Sequence, residues 1–222
     1  NAEIVYTNGF GVMDKGERKT AVVLDGAMFN HSCDSSTMRH WDEEKQHMTF
    51  YAIRDIKADE EITTSYFSTR KTYSQRQESG LKLGFQCQCE RCDPGQPGQE
   101  RDELRATSDA RMERFQRLRA KVPTILQHMS SDTTVLRRHH EDMIAVLRAE
   151  FDTKADQLKD TLDDGIWMAC LFKDMAYAKQ RAQECYDTLV IAQGAECSET
   201  RQHKRYITNP ALHTELKRLK GE

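Results

Sequence analysis

Three cysteines crowd into the six residues Cys87-Gln88-Cys89-Glu90-Arg91-Cys92, and no other feature of the chain limits its fold as tightly. Closely spaced thiolates can converge on one zinc ion, whose structural sites are tetrahedral and take four ligands. The triplet supplies three, so a fourth ligand must come from elsewhere. Cys33, which ends the segment Asn30-His31-Ser32-Cys33 more than fifty residues upstream, is one candidate. The alternative is three unligated thiols in a turn. Ligation would require deprotonated sulfur, so metal binding would stabilise the fold and depend on pH.

The rest of the composition narrows the setting. Seven cysteines are an odd number, and their crowding suits metal ligation in a reducing compartment better than a disulfide framework. A soluble protein of the nucleus or cytoplasm is expected, since no apolar run of membrane-spanning length and no signal-peptide pattern is present. Lys and Arg total 33 against 36 Asp and Glu, and neither the first 98 residues nor the remainder is basic. That balance argues against a broad nucleic-acid footprint. Cys170 and Cys185 fall on apolar helical faces and, with Cys197, read as buried inert thiols.

The chain changes character at Asp93-Pro-Gly-Gln-Pro-Gly98, where two prolines and two glycines stop both helix and strand. Before it, β-branched and aromatic runs predict short strands over residues 4–13, 20–24, 48–54 and 60–67, the last with Ile62, Thr64 and Tyr66 on one face. Residues 34–47 read as polar connection, and 69–83 as a helix anchored by Tyr73, Leu81 and Leu83. After the boundary everything reads helical. A helix over 99–121 ends at Pro123, and Asp132 or Thr133 caps the next. A stripe through Ile166, Cys170, Leu171, Met175 and Ala178 leads to a turn near 178–180, and a further helix runs to Gly194. These two helices suggest an irregular, tetratricopeptide-like array. Asn209-Pro210 starts a last short helix.

Three segments in order carry a resemblance: Asn30-His31-Ser32-Cys33, then Glu60-Glu61-Ile62-Thr63-Thr64-Ser65-Tyr66, then Phe85-x-Cys87-x-Cys89-x-x-Cys92. Residues 1–92 thereby resemble the SET-domain protein-lysine methyltransferases with a post-SET zinc motif, and the helical tail resembles the SET and MYND subclass or its fungal relatives. The implied fold is α+β: a C-terminal core portion of a SET domain over 1–84 with a knot-like crossing, a post-SET zinc segment and linker over 85–98, and a helical domain over 99–222. The resemblance implies that Asn8, Asn30, His31 and Phe85 contact S-adenosylmethionine, and that Cys33 joins Cys87, Cys89 and Cys92 on one zinc ion. Tyr66 is the implied catalytic residue, also beside the cofactor, where its hydroxyl positions the lysine amine. For His31, a packed and hydrogen-bonded ring is commoner than a direct base or ligand. Ser35 and Ser36 stand where that family usually has Pro-Asn, the glycine-rich SET strand is expected upstream of residue 1, and no MYND zinc module is read in residues 1–222.

The reading expected from the sequence is thus S-adenosylmethionine-dependent methylation of a lysine on a histone or other protein. Further protein partners are expected on the helical domain, with no direct nucleic-acid or membrane binding. The alternative is a catalytically inactive SET-like scaffold with a helical interaction domain. A plain zinc-binding interaction module would leave the Asn-His-Ser-Cys and Tyr66 segments unaccounted for.

Overall fold

The computed structural model describes residues 5, 8–93, 98–128, 133–151 and 155–221. Two compact units are formed, residues 1–106 and 107–222. Among its described residues, the first holds short strands in three two-stranded sheets. Strands β1 (Gly9–Asp14) and β2 (Glu17–Val22) make an antiparallel hairpin. Its two-residue loop, Lys15-Gly16, has both φ angles positive, at 54° and 78°, the conformation that matches strand twist in tight hairpins. Strand β3 (Asn30–His31) pairs in parallel with the later β6 (Thr63–Thr64). Between them, β4 (Thr37–Asp42) and β5 (His47–Ala52) form a second antiparallel hairpin.

Three strand expectations change. Residues 37–42 form a strand within the stretch read as polar connection, because the partner β5 supplies the ladder that composition did not advertise. The expected strand over 60–67 shrinks to two paired residues. Thr64 is buried while Ile62 is exposed, since Ile62 lies outside the ladder and the alternation of faces does not extend to it. The strand read over 20–24 begins at Glu17 and stops at Val22, leaving Leu24 exposed.

Residues 32–37 are tied to residues 63–65 by polar side chains. Ser36 is fully buried; its Oγ accepts from the Thr63 N–H and donates to the Thr63 carbonyl, while its own N–H donates to Thr63 Oγ1. Ser65 Oγ donates to the Ser32 carbonyl and lies 3.1 Å from Ser35 Oγ. Ser35 and Ser36 therefore knit this turn together. Buried hydroxyls satisfied in this way avoid the cost of an unpaired polar group.

Helix α1 (Tyr73–Leu81) is shorter than the predicted 69–83 and starts with a capping box between Thr72 and Gln75. Leu81 is exposed, so the helix is anchored instead by Tyr73, by the buried Arg76 and by Gly80. A Cβ at Gly80 would lie 2.8 Å from the Phe85 carbonyl oxygen, so only glycine lets the following turn come this close.

Helix α2 (Gln99–His128) continues past Pro123, where the sequence predicts a stop. Proline removes one helical donor and crowds the preceding turn, but it does not end a helix that packing holds in place. Met112 and Phe115 are buried there, and Leu118 and Val122 pack onto the same core, while Leu104 is exposed. The second unit continues with α3 (Thr134–Phe151), α4 (Ala155–Leu171), α5 (Met175–Gln193), α6 (Ser198–Thr208) and α7 (Thr214–Lys220). Thr133 precedes α3 and donates through its hydroxyl to Asp174; Asp132 lies outside the described residues. On α3 the buried stripe runs through Leu136, Met143, Val146 and Leu147, with Val135 exposed.

The turn expected at 178–180 falls instead at 172–174. Lys173 adopts φ 60°, and the Asp174 carboxylate caps α5 by accepting from the Tyr177 N–H. Met175 and Ala178 keep the spacing of the α4 stripe, so periodicity alone ran the two helices together. The Asn209-Pro210 signal marks a short 3-10 turn over Pro210–Leu212 before α7. No helix among the described residues is long and apolar enough to cross a membrane.

Candidate active site and metal centre

Pairing of β3 with β6 sets the site, because it places Asn30-His31 alongside Thr63-Thr64 and brings Tyr66 back over both. Asn30 Nδ2 donates to Glu61 Oε1 at 2.6 Å. The Tyr66 N–H donates to His31 Nδ1 at 3.0 Å, and the Tyr66 hydroxyl donates to the Phe29 carbonyl at 2.7 Å. Around this pair the aromatic rings close up. His31 lies 4.3 Å from Phe67 and 5.5 Å from Phe85 between ring centroids, and Tyr66 meets Phe85 edge-on at 5.9 Å.

Two cavities share Tyr66. The larger, about 710 Å³, is lined by Asn30, His31, Tyr66 and Phe85 together with the carboxylates of Asp34, Glu60, Glu61 and Glu90. The smaller, about 80 Å³, is walled by Asn8, Phe10, Gly26, Phe29, Arg39 and Tyr66. The structure thus gathers Asn30, His31, Tyr66 and Phe85 on one cavity, while Asn8 lines the other. Arg39, which sequence reasoning passed over, donates to the Ser65 carbonyl at 2.6 Å and stands 5.4 Å from the Phe10 ring. Burial raises the pKa of the Tyr66 hydroxyl, with the nearby Glu61 charge adding to the effect, so it stays protonated at neutral pH. Burial likewise pushes His31 down to about 4 and keeps the ring neutral.

Directly beneath this aromatic cluster, Cys33, Cys87, Cys89 and Cys92 converge, with all four sulfurs within 4.8 Å of one another. Cys33 Sγ stands 3.8 Å from Cys87 Sγ and 3.7 Å from Cys92 Sγ, and the Cys33 N–H donates to Cys89 Sγ. Hydrogen bonding to Cys87 and its neighbours pushes the Cys33 thiol far up, whereas the bond from Cys33 pulls Cys89 far down. Cys92 is brought to about 7 by its bond to Cys33, helped by Arg76. Four sulfurs this close cannot all ionise without a cation among them.

Arg76 adds to the fit to a metal. Its guanidinium is fully buried, donating through Nε to Cys92 Sγ at 3.4 Å and through an amino group to the Lys71 carbonyl at 2.6 Å. A buried cation needs an anionic neighbour. Thiolates on a divalent ion offer one, four of them carrying a net charge of about −2, as tetrahedral cysteine–zinc sites do. The donor set therefore fits zinc.

The surrounding residues hold the cysteines by their backbones. Gln77 pairs with both the N–H and the carbonyl of Cys87, and Arg105 donates twice to the Cys92 carbonyl while lying 4.3 Å over the Tyr73 ring. Sequence reasoning missed Arg76, Gln77 and Arg105. Their only sequence signal is polarity on helices, which surface residues share.

A second group of metal-ligating type, Asp163, Cys185 and His203, lies in the helical unit. There Asp163 Oδ1 is already taken by His203 Nε2 at 2.7 Å and His213 Nε2 at 2.8 Å, and the Glu215 N–H occupies His213 Nδ1. This is a hydrogen-bonded hub. Cys185 and Cys197 are buried and Cys170 partly so, as expected of inert thiols.

Residues 7–67 match the family model for the SET domain. Over that segment the chain is similar to SET domains, and it shows likeness to histone-lysine methyltransferases and to a SET-MYND protein. It is 26% identical over 212 residues to the histone-lysine N-methyltransferase set5 of Schizosaccharomyces pombe, covering 94% of this chain and 62% of the relative. A SET domain-containing protein of Acanthamoeba polyphaga mimivirus is 42% identical over 76 residues, 33% of this chain and 28% of the relative. A SET and MYND domain-containing protein of Dictyostelium discoideum is 34% identical over 94 residues, 40% of this chain and 22% of the relative. The chain thus spans about three fifths of the first of these proteins and less than a third of the other two.

Proposed function

We propose that this chain works as an S-adenosylmethionine-dependent protein-lysine N-methyltransferase, acting on a histone or another protein, with one structural zinc ion on Cys33, Cys87, Cys89 and Cys92. The observation that carries this reading is the position of Tyr66, shared by the two cavities beside Asn30, His31 and Phe85. The match to the SET domain and the likeness to a histone-lysine methyltransferase support it. On this reading, 1–84 is SET core, 85–98 the post-SET zinc segment and linker, and 99–222 a tetratricopeptide-like domain for protein partners, in the nucleus or cytoplasm.

When bound, S-adenosylmethionine supplies a methyl group on a positively charged sulfur. Asn30, His31 and Phe85 are the residues proposed to hold it, with Asn8 at the neighbouring cavity. A volume of about 710 Å³ falls within the usual range for small-molecule sites, and with Arg54 paired to Glu60 the other three carboxylates on the wall, Asp34, Glu61 and Glu90, favour cationic groups. The chain's own part in the displacement is to align a neutral amine and exclude water. Tyr66 is suited to aligning the amine because it donates its proton to the Phe29 carbonyl, which leaves its oxygen lone pairs to accept from an amine N–H. It orients the amine and does not take up its proton.

The test is transfer of labelled methyl from the donor to protein, comparing the native chain with Tyr66→Phe at equal zinc content. The expected result is transfer by the native protein and a loss of at least about a hundredfold in the variant, the scale of a group that aligns the reactants. Unchanged transfer would remove Tyr66 from the mechanism. Failure of the native full-length protein to bind the donor would favour the catalytically silent scaffold.

A further inference from the structure

We infer that His31 is a positioning residue that joins the metal centre to Tyr66, one nitrogen serving each. The inference rests on the zinc reading above and extends it to a residue that ligates nothing. The tautomer of the ring decides the roles of its nitrogens. His31 Nδ1 receives the Tyr66 N–H at 3.0 Å and must present a lone pair there. A neutral imidazole then carries its proton on Nε2. Nε2 lies 3.3 Å from Cys33 Sγ, so that N–H is donated to the sulfur. Both nitrogens are thereby assigned by geometry, and the ring is held by Phe67 at 4.3 Å with an interplanar angle of 33°.

The consequence runs in both directions. A thiolate that receives an N–H bond is stabilised as a ligand, in the way outer hydrogen bonds tune other metal sites. In return, a metal on Cys33 holds the acceptor of the Nε2 proton in place, which fixes the ring and with it the acceptor for the Tyr66 N–H. The Tyr66 backbone is otherwise anchored through its neighbour Ser65, whose hydroxyl reaches the Ser32 carbonyl and whose carbonyl accepts from Arg39, and through its own hydroxyl at Phe29. Metal loss would therefore loosen Tyr66 through a single side chain, with β3 and β6 still paired.

Two substitutions separate the two bonds. His31→Asn keeps an acceptor near the Nδ1 position and loses the donor to Cys33. His31→Gln places an amide N–H near the Nε2 position and loses the acceptor for Tyr66. The full chain is loaded with Co2+ in place of zinc. Three quantities are followed: the thiolate-to-cobalt charge-transfer band, the rate of metal release to a chelator, and hydrogen exchange at the Tyr66 amide. In His31→Asn the band should shift and the affinity fall about 10- to 100-fold, as for other outer-shell losses, with Tyr66 protected while metal is bound. His31→Gln should bind metal near the native level but lose protection of the Tyr66 amide. The native chain stripped of metal should lose the same protection, with far-ultraviolet dichroism unchanged. If the native chain takes up cobalt and His31→Asn has the same band and release rate, the inference is overturned. Tyr66 exchange indifferent to metal removal overturns it as well. A native chain that takes up no cobalt overturns the zinc reading itself, which keeps the two failures apart.

Discussion

His140 offers the most direct measurement of how burial shapes this protein. It is 1% exposed in the helical unit, with Nε2 2.7 Å from the Thr161 carbonyl and Nδ1 2.7 Å from the Tyr177 hydroxyl. Burial pushes its pKa down to about 4, from 6.5 in an exposed histidine, and the bond to Thr161 offsets only part of that. Between those values the unfolded chain binds the proton and the folded unit does not, so stability rises with pH across this window. The contribution is fully present above pH 6.5 and is lost as pH falls toward 4. A shift of this size corresponds to about 3 kcal/mol, at roughly 1.36 kcal/mol per unit. The assay is urea unfolding of the full chain followed by far-ultraviolet dichroism, in steps from about pH 7 to pH 4, for the native protein and for His140→Gln. Glutamine keeps a donor for Thr161 and does not titrate. The native protein should lose about 3 kcal/mol more than the variant over the window. His203, whose pKa is raised, titrates alike in both proteins and cancels from the comparison. Equal pH dependence in the two proteins would refute the assignment of this cost to His140.

Three other outcomes are expected. Cys33→Ser should lower zinc stoichiometry and thermal stability together, as measured by metal analysis and calorimetry, since removing one thiolate opens a four-ligand site. Arg76→Met should preserve much of the volume of the buried side chain but weaken metal binding by about tenfold in chelator competition, because the cation beside Cys92 is gone. Burial opposes charge on His203, but its bond to Asp163 outweighs this and raises its pKa. That contribution should be complete below pH 6.5 and disappear as pH climbs through the raised value, a decline that His203→Gln abolishes in the same unfolding assay.

Much of the candidate site was legible because its chemistry is carried by residue type and spacing. Cys87, Cys89 and Cys92 converge in the structure as their spacing predicts, with Cys33 beside them. Asn30, His31, Tyr66 and Phe85 line one cavity. The Pro- and Gly-rich segment precedes a chain that is helical over most of its described length, and the buried stripes of α3 and α5 follow helical periodicity. Signals of this kind are local, and a few residues are enough to express them.

What the sequence by itself determined was therefore the clustering of Cys87, Cys89 and Cys92, the order of the motifs and the helical character of the second half. Tertiary structure alone decided three things. It turned Thr37–Asp42 into a strand, because a ladder depends on a partner rather than on propensity. It placed Arg76, Gln77 and Arg105 against the cysteines, because a charged or polar residue on a helix reads alike whether it meets solvent or a sulfur. And it gave His31 its two hydrogen bonds, one to Cys33 and one to Tyr66. The tautomer of a histidine is set by what the fold brings to each nitrogen, and the Tyr66 backbone reaches His31 only when β3 and β6 pair.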